Sequence, residues 1–216
     1  MSFRPVQQLH VGRTLSTGET VAVGTLAQNR RGVFFQYHPA YLARFKHFSP
    51  FTVQDTAELQ VAPKRPHDGL HGVFADSLPD GWGLLLQDRV FRQHGILPAQ
   101  VTAMDRLAFV GQRGMGALTF SPASDLPCAE QQMDLATLGL QAQALFDGQT
   151  DEVLAALVAA GSSGGARPKA QLFFPDSDPF QCATQPGPGD EAWLVKFTSQ
   201  NLALGHEEGV CEAVYL

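Results

Sequence analysis

Residues 162–174, Ser-Ser-Gly-Gly-Ala-Arg-Pro-Lys-Ala-Gln-Leu-Phe-Phe, set a turn of small residues directly before a lysine-bearing apolar segment. A phosphate needs backbone N–H donors and an unobstructed approach, and Gly164, Gly165 and Ala166 offer both because nothing bulky projects from them. Small-residue turns before strands are common, so the turn alone is equally a plain connection. A Walker A loop is excluded, since that pattern needs Gly-Lys-Ser/Thr followed by a helix and Ala170–Phe174 reads as a strand. Further on, Trp193-Leu194-Val195-Lys196-Phe197 is a short apolar strand with one cation at its centre, and a buried cation needs an anionic partner.

Protein kinases use such parts together: a glycine-rich hairpin covers the ATP phosphates, and a lysine on a later strand pairs with them and with a helix glutamate. Period-2 alternation turns Lys196 to the face opposite Trp193, Val195 and Phe197, and Glu207, Glu208 and Glu212 follow on the next predicted helix. Taken singly, Lys196 also reads as a half-exposed strand lysine and the glutamates as a solvated helix face. The ordered set is what points to an ATP grip.

The elements that position these residues occupy the second half of the chain. Leu135–Phe146 and Asp151–Ala160 read as helices, the second with Thr150 as N-cap, Asp151 and Glu152 in its first turn and Gly161 at its C-terminal stop. A strand over 168–174, a loop over 175–191, a strand over 192–197 and a helix from Leu204 follow. The first sixty residues look β-rich, with runs at 20–26 and 32–37 suited to a hairpin or meander. From about residue 68 the pattern turns helical: Leu70, Val73 and Phe74, then, after Leu78-Pro79-Asp80-Gly81, the stripe Trp82, Leu85, Leu86, Val90 and Phe91 up to Gly95. A short helix over 101–109 and a strand over 116–122, closed by Pro122, complete this half. The expected class is α+β, with a β-rich subdomain and packed helices over 1–122 and the beginning of a kinase-like N-lobe over 123–216. His67, His71, Asp76 and Asp80 do not read as a metal or acid/base group, because helix-terminal aspartates usually cap and Trp82 reads as core.

With 216 residues, 44% hydrophobic, 17% charged and a net charge of −6, the chain has the composition of an ordinary globular protein. A pI of 5.6 and the lack of a basic stripe disfavour direct nucleic-acid binding. Cys128, Cys182 and Cys211 make neither a disulfide framework nor a metal motif and read as reduced thiols. The N-terminus lacks a signal-peptide core, and no apolar run is long enough to span a bilayer, so the expected location is cytoplasmic.

The chain resembles the HipA family of bacterial serine/threonine kinases, the toxins of HipA/HipB toxin–antitoxin modules. The likeness rests on Val23-Gly24-Thr25-Leu26 with the 34–37 strand, Phe74-Ala75-Asp76-Ser77-Leu78-Pro79-Asp80-Gly81, Gly111–Pro122, Gly165-Ala166-Arg167-Pro168-Lys169 and Trp193–Phe197. The resemblance implies that Ser163, Gly164, Gly165, Ala166, Arg167, Pro168 and Lys169 form an ATP-binding loop. It places Ser162 at the serine that many members autophosphorylate; a capping serine is the other reading. It makes Lys196 the ATP-contacting lysine and Glu212 its helix partner, with Glu208 the other candidate. ATP and Mg²⁺ are the implied cofactors, a HipB-like antitoxin the implied partner, and an aminoacyl-tRNA synthetase an example of substrate; DNA would be reached only through the antitoxin.

A kinase also needs two aspartates, one as catalytic base or positioner and one for Mg²⁺, and no His-Arg-Asp or Asp-Phe-Gly equivalent occurs in these residues. The expectation is that catalytic and Mg²⁺-binding residues lie in a C-lobe beyond this sequence, whose last helix carries no stop signal, and that the 216 residues alone do not transfer phosphate. The alternative reading is a non-catalytic module that docks on an antitoxin or a separate kinase subunit.

Overall fold

The computed structural model describes residues 3–45, 48–49, 51–126, 132–151, 155–161 and 164–215. In chain order the elements of the first half are β1 (Gln8–Thr14), β2 (Thr20–Asn29), β3 (Gly32–Tyr37), α1 (Pro39–Phe45), β4 (Gln60–Val61), α2 (Gly72–Ala75), α3 (Gly81–Gln93), α4 (Ala103–Val110) and β5 (Leu118–Ser121). Then come β6 (Gln132–Asp134), α5 (Leu135–Phe146), α6 (Ala155–Ala159), β7 (Lys169–Phe174), β8 (Gln181–Ala183), β9 (Glu191–Lys196) and α7 (Glu208–Tyr215). The class is α+β with antiparallel sheets. The chain forms two compact units: residues up to Leu78 with Gly95–Asp125, and Pro79–His94 with the chain from Leu126.

The first unit is built on a five-stranded sheet of order β4-β3-β2-β1-β5, antiparallel throughout. Alternation puts Leu9 and Val11 of β1 and Val33, Phe35 and Tyr37 of β3 inside, where Phe74 of α2 and Met104, Leu107 and Ala108 of α4 join them in one core. Burying a side chain of this size contributes about 1.5–3 kcal/mol. Asp105 is buried yet satisfied: it accepts the Val6 N–H (2.7 Å), the Thr102 N–H (2.7 Å) and the Thr102 hydroxyl (2.7 Å), closing the N-terminus of α4. β5 stops at Ser121, immediately before Pro122. The strand β1 has no counterpart in the sequence reading, because its alternation is carried only by Leu9 and Val11 before Gly12 and Arg13 interrupt it.

The second unit is built on a four-stranded antiparallel sheet of order β6-β8-β7-β9. β8 lies within the stretch read from sequence as loop 175–191; three residues are too few to show a period, and Pro, Gly and Asp surround them. One face of β7, carrying Ala170 and Leu172, packs with Trp82 and Leu86 of α3, Leu138, Ala142 and Leu145 of α5, Ala156 and Leu157 of α6, and Phe197. Helix α3 thus belongs to the same core as the strands that follow residue 168, although far away in sequence. Gly161, at φ +67°, follows α6 closely, as its reading as a C-terminal stop expects, and Glu152 lies outside the described residues. No helix among the described residues is long and apolar enough to cross a membrane.

Candidate functional site

Of the small-residue turn, the structure describes Gly164 onward; Ser162 and Ser163 lie outside the described residues. Gly164, Gly165, Ala166 and Arg167 are exposed, and the chain turns inward at Pro168 and Lys169. Gly165 has φ +102°, a conformation that disfavours any side chain. Its N–H donates to Asp80 Oδ1 (2.6 Å), and its carbonyl accepts the N–H of Trp82 (3.0 Å). The Trp82 indole N–H donates to the Lys169 carbonyl (2.9 Å), and the Pro168 carbonyl accepts the Phe197 N–H (2.9 Å). The loop is therefore tied at one side to the first turn of α3 and at its end to the residue that follows β9.

The sequence reading of Asp80 as a helix cap is corrected here. Asp80 occupies the N-cap position of α3 with extended backbone, but its side chain caps no N–H of that helix. The carboxylate reaches the loop, and the Gly165 carbonyl takes the Trp82 N–H at the helix start.

Of the two readings of Lys196, the buried cation of an apolar strand is corrected and the half-exposed strand lysine is the one observed. β9 is an edge strand, Trp193 is 57% exposed, and the Lys196 side chain retains 43% of its exposure. The buried cation is Lys169, at 5%. The antiparallel register of β7 and β9 puts Lys169 directly opposite Lys196, on the sheet face away from Ala170, Leu172 and Val195. Like charges so placed repel one another and need counter-charge. For Lys196 it comes from Glu212 on α7, with which it forms an ion pair. For Lys169 it comes from the Gly164 carbonyl, which accepts from Nζ at 2.6 Å, and from the field of Asp80.

Six ionic groups thus meet around the loop. Arg167 pairs with Glu208, one helical turn before Glu212 on α7, so this helix holds one loop cation and one strand cation through carboxylates spaced i, i+4. Burial lowers the pKa of Lys169 by penalising the ammonium; Asp80 and Glu212 oppose this, while Lys196 and Arg167 add to it. The hydrogen bond from Lys196 holds the Glu212 carboxyl below the usual carboxylate range, with the charges of Lys196, Arg167 and Lys169 acting in the same direction. The arrangement suits an anion bearing several oxygens: exposed glycine backbone, a cation against it, and two more cations anchored from behind.

Among the described residues, no group of three or more His, Cys, Asp or Glu side chains is placed to hold a metal ion. Cys182 is buried and Cys211 exposed, both as free thiols, and Cys128 lies outside the described residues. The parts of the site that sequence reasoning missed are Asp80, Gly81 and Trp82. The signals were the place of Asp80 and Gly81 in the segment 74–81 that carries the family resemblance and the proximity of an aspartate, a glycine and a tryptophan at a helix start, which fits a capped core helix equally well.

Residues 18–121 match a family model described as the HipA N-terminal domain. The match ends before the loop and Lys196. No curated protein and no solved structure matches the chain.

Proposed function

We propose that this chain, whose residues 18–121 match the HipA N-terminal domain, is a HipA-like protein and that its second unit carries the ATP-gripping part of a serine/threonine kinase site. HipA is a toxin family associated in general with HipB antitoxins. The observation that carries the kinase reading is the β7–β9 register, which sets Lys169 against Lys196 beside a turn with exposed glycine backbone. In this reading the small residues Gly164–Ala166 let the phosphates come close to the loop, whose Gly165 N–H and carbonyl are held by α3 and not offered to them, while Lys169 and Lys196 neutralise phosphate oxygens and Glu212 orients Lys196. Arg167, held by Glu208, adds positive charge at the loop's edge, and Pro168 fixes the loop's return to the sheet through its carbonyl. ATP would supply the transferred phosphoryl group and Mg²⁺ would shield its charge; no described residue is assigned to the metal or to the transfer itself. A protein hydroxyl is the proposed acceptor, a HipB-like antitoxin the proposed regulator and Ser162 the proposed autophosphorylation switch.

Calorimetric titration of the chain with a non-hydrolysable ATP analogue and Mg²⁺ tests this reading. Saturable binding is expected, weakened about tenfold or more by Lys169→Met and by Lys196→Met, since each removes one charge-assisted contact to phosphate. Absence of saturable binding at millimolar analogue, or binding indifferent to both substitutions, refutes the assignment.

A further inference from the structure

The first turn of α3 does more for the loop than helix packing requires. We propose that Asp80, Gly81 and Trp82 are positioning residues that hold the loop at 164–169 in the conformation that receives phosphate; the identity of the ligand rests on the reading above, whereas the hold itself does not.

Three observations carry the proposal. First, both backbone polar groups of Gly165 are engaged by α3: the N–H by the Asp80 carboxylate at 2.6 Å, the carbonyl by the Trp82 N–H at 3.0 Å. A second tie, from the Trp82 indole to the Lys169 carbonyl at 2.9 Å, catches the loop at its other end, and Trp82 is buried at 1% and cannot yield. Second, Gly81 is packed backbone to backbone against the loop: a Cβ there would stand 2.6 Å from the Gly165 oxygen and from the Ala166 Cα. Third, the Asp80 charge offsets part of the cost of burying the Lys169 ammonium, whose Nζ lies 2.8 Å from where a Cβ of Gly165 would be. A loop of glycines and alanine has no side chains with which to fix itself, and ordering it on binding would consume affinity. Here α3 orders it in advance.

The test uses the full chain without nucleotide, followed by titration with the same ATP analogue. Asp80 is exposed, so its replacement leaves the core intact. In Asp80→Ala, hydrogen exchange at the Gly165 amide is expected to speed up about tenfold or more, and analogue affinity to fall by a similar factor, as expected for loss of a charge-assisted bond. Asp80→Asn keeps an acceptor oxygen and is expected to restore most of the protection and part of the affinity. Unchanged exchange at Gly165 in Asp80→Ala overturns the proposal, as does faster exchange with undiminished affinity. Equal loss of affinity in both variants with protection retained also overturns it, since charge alone would then explain the result. If the unaltered chain binds no nucleotide, the kinase reading fails, and the exchange measurement still decides whether α3 holds the loop.

Discussion

Gly81→Ala is the perturbation whose size the structure defines best. The new methyl would lie 2.6 Å from the Gly165 oxygen, 2.6 Å from the Ala166 Cα and 2.7 Å from the Ala166 nitrogen, all backbone atoms that cannot swing aside as a side-chain tip would. Restoring ordinary contact requires the loop to retreat by most of an ångström, which stretches the 3.0 Å bond from Trp82 N–H to the Gly165 carbonyl beyond hydrogen-bonding length. Two bonds at about 1 kcal/mol each are then at stake, those of Trp82 and Asp80 to Gly165. The backbone adds its own cost, because φ +38° is a conformation that L residues occupy at a penalty of roughly 1–2 kcal/mol. The expected destabilisation is about 3–4 kcal/mol, read by urea denaturation with the buried Trp82 as fluorescent reporter. Gly148→Ala is the control: φ is +71° but nothing lies within 4 Å of the added carbon, so only the backbone penalty applies. If Gly81→Ala is no more costly than Gly148→Ala, the close packing of α3 on the loop is refuted.

Two further predictions rest on titrating groups. Lys196→Met is expected to raise the Glu212 pKa toward the ordinary carboxylate value, because the hydrogen bond from Lys196 is the chief reason it is low; carboxyl-carbon NMR through a pH series reads this without any nucleotide, and an unmoved Glu212 contradicts the pair. His71, buried in the first unit, has its pKa lowered by burial, so the fold holds the ring neutral and the unfolded chain binds more protons below the unperturbed value of 6.5. Stability attributable to His71 is therefore complete above pH 6.5 and lost as pH falls below it, with a slope of at most about 1.4 kcal/mol per pH unit. Denaturation of His71→Gln across the same range is expected to show a shallower acid loss than the unaltered chain, and parallel curves would refute the assignment.

The glycine-rich turn, the lysine strands and the glutamate helix were legible because each announces itself locally. Gly164, Gly165 and Ala166 have too little side chain to be anything but backbone, alternation about Ala170 and Leu172 marks a strand with one buried face, and the periodic stripe from Trp82 to Phe91 marks a helix. Strand position was not legible. Whether Lys196 is buried depends on whether β9 is central or at an edge, and hydrogen bonding between strands distant in sequence decides that. For the same reason the sequence pointed to Lys196 as the cation in need of a partner, while Lys169, next to a proline, is the one removed from water. β8 was missed because three residues hold no periodicity.

From local patterning alone came the class, the small-residue turn and the identities of the charged residues around it. Tertiary structure decided which of them meet. It put α3 into the second unit's core, brought Asp80 and Trp82 to a loop some eighty-five positions away, and aligned Glu208 and Glu212 with Arg167 and Lys196. The physical reason is range: alternation and capping act within a few residues and are written in the order of the chain, whereas a hydrogen bond or ion pair across a fold depends on distances that only packing sets.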